Sequence, residues 1–267
     1  MGHHRLFRSA GLAVAAFVVA SGPVWHNATA APDESRTHFG STVALGDGVA
    51  RTFTSVDPGG NPTAVGIRLS AAALDGLSGE GTMLMLELPE AATATAFDHV
   101  MLNWNPRGHP PDTLFGKPHF DLHFYMTDMA SIGRIDPAAP DYATRAANLP
   151  AAQYIPQGYI LPPGPAAEQA VPFMGTHWLD ATEGMIPGVY DFTETFINGS
   201  WDGNYTFMEP MITRAWLLTE PTLQEEIKQP SAYQRSAYYP TVYTVRFDDR
   251  TQEFEVALSE MVFRGES

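Results

Sequence analysis

The sequence predicts a mainly β protein, a β-rich sandwich or barrel with a few short helices. Gly 23 and Pro 22 in 267 residues place turns at short intervals. β-branched and aromatic residues gather in short runs between those turns. Near the C-terminus two such runs alternate apolar and polar residues with period two across a short turn. With 44% apolar residues the chain can bury a substantial core.

Residues 1–30 read as a secretory signal. Arg5 and Arg8 stand without an acid, an apolar stretch runs from Gly11 to Ala20, and Ala28-Thr29-Ala30 offers a small-residue cleavage site. Ser21-Gly22-Pro23 breaks the apolar stretch short of the about 20 residues a membrane-spanning helix needs. A cleaved signal is therefore expected, giving a secreted or periplasmic protein with no membrane insertion after cleavage. The chain has no cysteine, which excludes a lipid-modified cysteine, disulfides and thiolate-bound metal. Cleavage removes two of the 15 basic residues and none of the 30 acids, leaving a net charge of −17. Such a surface, with no basic run, excludes nucleic acid and anionic lipid as partners.

Residues 31–40 read as a disordered leader and residues 41–267 as a single β-rich domain, without internal repeats. Short β-like runs at 41–44, 50–56 and 64–69 flank the turn Asp57-Pro58-Gly59-Gly60-Asn61-Pro62. Ser70 is placed to cap a short helix over 70–77. Residues 83–88 read as a buried strand and 98–104 as another. Residues 140–165 are loop-like, with at most one short helix near 142–148. Pro221 at a first helical position and Pro230 beyond the end predict a helix over 221–229. Residues 241–247 and 253–258 form the two arms of the C-terminal hairpin.

The chemistry concentrates between Asn103 and Tyr125. The segment Pro118-His119-Phe120-Asp121-Leu122-His123-Phe124-Tyr125 is rich in aromatic residues and favours a strand. On a strand His119, Asp121 and His123 share one face, and Phe120, Leu122 and Phe124 share the other. Residues four apart on a strand lie about 13 Å apart at Cα, so two imidazoles barely reach one ion through Zn–N bonds of about 2.0–2.1 Å. Asp121 with either His119 or His123 is the natural ligand pair, and Asp121 could instead orient an imidazole. In a helix, His119 and His123 would chelate directly at i, i+4. His177 follows a glycine and adjoins Trp178, while Glu209 sits among Phe207, Met208, Pro210 and Met211, where an unpaired charge is costly. His109 adds a further imidazole. Trp104, Trp178, Phe120 and Phe124 are most simply core, and the methionine spacing reads as strand packing, not copper ligation. Asn198-Gly199 and Asp202-Gly203 read as turns. No G-x-S-x-G, phosphate loop or dinucleotide fingerprint occurs.

The blocks Trp104-Asn105-Pro106-x-Gly108-His109-x-Pro111, Pro118-His119-Phe120-Asp121-x-His123-Phe124-Tyr125, Met174-Gly175-x-His177-Trp178, Thr195-Phe196-Ile197-x-Gly199 and Glu209-Pro210-Met211-Ile212-Thr213 occur in that order. Together they resemble the DUF5602 family of exported, functionally uncharacterised bacterial proteins. That resemblance implies export and a shared His-rich site and supplies no reaction. The position of Arg107 is often another histidine in that family.

The expected function is metal binding outside the cytoplasm, by zinc or another divalent ion. His119, Asp121, His123, His177 and Glu209 form the ligand pool, with His109 as a supporting or additional ligand. A metal-bound water of lowered pKa would supply hydrolytic or lyase-like chemistry if the site is catalytic. The rival account is a metal-free envelope protein, structural or binding a small-molecule ligand, whose histidines and acids form a buried hydrogen-bond network.

Overall fold

The computed structural model describes residues 36–267. The signal segment and the start of the leader lie outside the described residues. In chain order the strands are β1 (Arg36–Phe39), β2 (Val43–Leu45), β3 (Gly48–Val56), β4 (Pro62–Ser70), β5 (Thr82–Glu87) and β6 (His99–Asn105). Then come β7 (His119–Tyr125), β8 (Tyr159–Ile160), β9 (Thr176–Asp180), β10 (Glu194–Trp201) and β11 (Asn204–Thr213). The last are β12 (Thr222–Glu226), β13 (Ala237–Tyr239), β14 (Val242–Asp248), β15 (Glu253–Ser259) and β16 (Val262–Arg264). Five short helices, α1 (Asp112–Phe115), α2 (Met129–Ile132), α3 (Tyr142–Ala147), α4 (Ala166–Gln169) and α5 (Arg214–Leu217), occur among the described residues.

Two antiparallel sheets make a sandwich. One runs β1-β3-β4-β15-β14-β12, with β2 paired to β3, and the other runs β5-β6-β7-β11-β10-β9-β8. Neither closes into a barrel, and β13 and β16 form a separate ribbon. Period-two alternation fills the space between the sheets. Val65, Ile67, Leu69, Val245, Val256 and Leu258 from the first sheet meet Val100, Leu102, Phe120, Leu122, Phe124 and Ile212 from the second. The outer face of the first sheet is polar, with Arg51, Arg68 and Arg246 interleaved with Glu253 and Glu255 in ion pairs.

The second sheet is treated differently. Its outer face is roofed by the connections that carry α1 to α4. Ile132, Ile135 and Tyr142 pack on Met101, Tyr125, Trp201 and Phe207 at one end. Leu114, Phe115 and Phe192 pack on Ile197 and Met211 at the other. All seven residues of β7 are therefore buried.

Several expectations are corrected. Residues Arg36–Phe39, expected within the leader, pair with β3 as a strand. The segment 221–229 is not a helix: Thr222–Glu226 extends along β14. Its two apolar residues, Leu223 and Ile227, are four apart, a spacing that satisfies one helix face and one strand face equally, and the open edge of β14 decides between them. Residues 83–88 give an edge strand in which Met83 and Met85 are exposed and Leu86 alone among its apolar residues is buried. The helix after Ser70 is one 3₁₀ turn, Ala71–Leu74, which Ser70 does not cap; the Ser70 hydroxyl instead accepts from the Val49 N–H at 3.0 Å. Asn198-Gly199 lies inside β10, while Asp202 and Gly203 make the β10–β11 turn with positive φ. Trp104, Phe120 and Phe124 are core, but Trp178 is half-buried, its indole donating to Ser200 Oγ at 2.8 Å.

Candidate metal centre

The roofed face of the second sheet carries the polar residues. On β7 the alternation sends His119, Asp121, His123 and Tyr125 to this face, which settles the strand-or-helix alternative for the segment. On β6 the facing residues are Asn105, Asn103, Met101 and His99, opposite them in that order. On β11, Thr213 lies opposite His119, Met211 opposite Asp121 and Phe207 opposite Tyr125, which sets Glu209 across from His123. One strand further, Gly199 of β10 lies opposite both Phe207 and His177 of β9. With no side chain at Gly199, the Phe207 ring lies over its backbone. His177 and His123 both stand edge-to-face on that ring, at 5.2 and 4.9 Å between centroids.

All six candidate residues come to this face, in two groups. His109, His119 and Asp121 form one, and His123, His177 and Glu209 the other, with the three ligand atoms of each group within 4.8 Å of one another. In the first, His119 Nε2 lies 3.0 Å from Asp121 Oδ1 and His109 Nε2 3.5 Å from Asp121 Oδ2. In the second, His123 Nε2 and His177 Nε2 lie 3.3 and 3.6 Å from the two Glu209 oxygens. Two donors on a tetrahedral zinc, at bonds of about 2.0–2.1 Å, are separated by about 3.3 Å, so these spacings fit ligation. Asp121 thus pairs with His119 and not with His123, whose carboxylate partner comes from β11.

Tautomers sharpen the geometry. His119 Nδ1 contacts the Lys117 carbonyl at 2.6 Å, and His109 Nδ1 contacts the Pro110 carbonyl at 2.9 Å. A carbonyl only accepts, so both Nδ1 atoms carry a proton, and each Nε2 meets the Asp121 carboxylate as the donor of a second proton or, in a neutral ring, as a lone pair that only a cation can bridge to it. Asn105 Nδ2 donates to Asp121 Oδ2 at 2.7 Å and holds it in place. His119 Nε2 and Asp121 Oδ1 are close yet have no hydrogen-bond partner, and the same is true of both ring nitrogens of His123 and of Glu209 Oε2. Buried polar atoms are rarely left this way. His119, Asp121, His123 and Glu209 are 0%, 4%, 0% and 2% exposed. His109 and His177 are the partly exposed members, on the solvent side.

Charge follows burial. Burial would raise the Asp121 carboxyl, but His109 and His119 beside it outweigh this and hold it below the usual carboxylate range. Burial opposes charge on His109 too, yet Asp121 outweighs it and raises that imidazole. Burial pushes His123 down to about 3 and His177 down to about 4, so both are neutral in ordinary buffers. Burial, and then the Asp121 charge, raise Glu209 well above the usual range. The first group therefore holds a charged carboxylate, and the second binds a proton that a cation would displace.

Asn105 and Phe207 lie outside the set of residues that the sequence predicts for the site. The β6 alternation of His99, Met101, Asn103 and Asn105 against Val100, Leu102 and Trp104 carries the signal for Asn105. The role of Phe207 depends on Gly199 across the sheet and has no local signature.

Residues 57–104 match the family described as TTHB210-like, Hypothetical protein TTHB210. The match covers β4, β5 and all but the last residue of β6, and ends before the six candidate ligands. No curated protein and no solved structure matches the chain.

Proposed function

We propose that this chain is an exported metal-binding protein whose His/Asp/Glu cluster takes a divalent ion, with zinc the expected one. The observation that carries the reading is the buried contact of His119 Nε2 with Asp121 Oδ1. The carbonyl of Lys117 fixes a proton on the opposite nitrogen, so Nε2 and the carboxylate oxygen, 3.0 Å apart and buried, are joined either by a second proton on the ring or by a metal ion. A metal ion takes the place of that shared proton, and nitrogen–oxygen ligand sets at these spacings suit zinc. The carbonyl contacts to both imidazoles and the Asn105 contact to the carboxylate are the outer interactions that orient ligands in metal sites. A metal-free network would instead need a shared proton in each of these contacts, as the raised Glu209 carboxyl supplies at the second.

Three protein ligands leave a coordination position open, as in catalytic rather than closed structural zinc sites. A bound divalent ion would supply an activated water suited to hydrolytic or lyase-like chemistry. Export rests on the charged start, apolar stretch and A-x-A site, and on the resemblance to the DUF5602 family. Among the described residues no helix is long and apolar enough to cross a membrane.

Elemental analysis of the purified mature protein, paired with thermal melts in zinc and in chelator, tests the reading. Zinc should be retained and should raise the melting temperature of the chelator-treated protein. A double His123→Ala, His119→Ala variant should gain nothing from zinc. No retained metal, and no shift with zinc, copper, manganese or calcium, would favour the metal-free envelope protein.

A further inference from the structure

We infer that the cluster is two separate metal centres, so that each chain takes up two divalent ions with unequal affinity. The inference deepens the proposed metal-binding reading and rests on it. β7 does not gather its own three polar residues around one ion: His119 and His123 stand about 13 Å apart at Cα, a span that two imidazoles barely bridge. The structure resolves this by giving each histidine a different carboxylate and a different outlying imidazole. His119 and His109 converge on Asp121, from β7 itself and the loop before it. His123 and His177 converge on Glu209, from β11 and β9 across the sheet. No ligand atom is shared between the two sets.

The two sets are differently prepared. In the first, both imidazoles are fixed through Nδ1 by backbone carbonyls and the carboxylate is held by Asn105. In the second, the backbone contacts of the imidazoles, Met101 to His123 and Gly175 to His177, fall short of well-formed hydrogen bonds, and one Glu209 oxygen has no partner. A preorganised set loses less conformational freedom on binding, so the His109–His119–Asp121 centre fills first. The His123–His177–Glu209 centre fills second.

The test is a zinc titration of the chelator-treated mature protein, followed by gel filtration and elemental analysis. Cobalt(II) absorbance in the visible region serves as an independent count of ordered sites. Two ions per chain are expected, in two resolved steps. His109→Ala and His177→Ala change the partly exposed ligands and spare the buried ones, so folding, followed by circular dichroism, should survive. Each should lower the count from two to one, with His109→Ala removing the tighter step and His177→Ala the weaker. One ion per chain in the parent, abolished by either variant, would overturn the two-centre inference and leave the metal-binding reading standing. No ordered ion at all would overturn both.

Discussion

Gly199→Ala is the most searching single perturbation of the site, because it touches no proposed ligand. A Cβ at residue 199 would fall on Cδ1, Cε1 and Cζ of the Phe207 ring, far inside contact distance. Ordinary carbon contacts lie at about 3.5–4.0 Å, so the ring must retreat by more than an ångström. It has nowhere easy to go, since Phe207 is fully buried against Met101, Tyr125 and Trp201. Overpacking of this kind costs about 1–3 kcal/mol, and a fully enclosed ring places Gly199→Ala near the top of that range. For a domain of this size each kcal/mol shifts Tm by about 2–4 °C, so a loss of about 6–12 °C in metal-free protein is expected. Because His123 and His177 both rest on the ring, the zinc bound through Glu209 should weaken, while that bound through Asp121 should persist. Calorimetric melts with and without zinc, together with metal counts, measure both effects. Unchanged metal-free stability would refute the packing argument, and loss of both ions together would refute the idea that Phe207 supports only one end of the cluster.

Phe120→Ala should cost about 3–5 kcal/mol with or without chelator, as for a buried aromatic, whereas His123→Ala should remove chiefly the zinc-dependent increment in chemical denaturation. Zinc at a hundredfold excess over Kd should add about 2.7 kcal/mol at pH 7.5; that increment should shrink at pH 5, where protonation of His109, whose imidazole is raised, competes for the first centre and Glu209 retains its proton at the second. Without metal, His123 and His177 have lowered imidazoles, so the unfolded chain binds more protons below pH 6.5 and stability should fall as pH falls from there towards about 3. Glu209 is raised, so the folded chain holds its proton above the unfolded value of 4.5. Its contribution therefore weakens the metal-free fold as pH rises, and Glu209→Gln should relieve this in pH-dependent melts. N-terminal sequencing of protein secreted by a bacterial host should begin at Ala31 or Pro32, and retention of Met1 on exported protein would contradict the signal reading.

Much of the site was legible because a strand writes its faces into alternate residues. The order His119, Phe120, Asp121, Leu122, His123, Phe124 contains both the core face and the polar face. Glu209 among apolar neighbours announced a buried carboxylate in need of a partner. Which imidazole it would meet depended on the β7–β11 register and on β9 reaching across Gly199, neither of which is local. The same limit explains residues 221–229, where the proline brackets and the spacing of Leu223 and Ile227 fit two conformations. Met83 and Met85 looked buried by composition, but they share the outer face with Asn103 and Met101, and at the edge strand β5 that face is left exposed.

The two sets of proposed ligands also differ in when the fold brings them together. His109, His119 and Asp121 are close in sequence, and a single loop closure joins them. His177 and Glu209 reach His123 only after the long roofed connections are in place and β9, β10 and β11 have been laid down beside β7, an ordering cost that local contacts avoid. A chain crossing a membrane unfolded carries neither set ready-made, so on the proposed reading the ion is acquired where the sheet finishes forming. The metal then reflects the supply in that compartment and the order of folding, and chelator present during refolding should block capture that the same chelator, added afterwards, reverses only slowly.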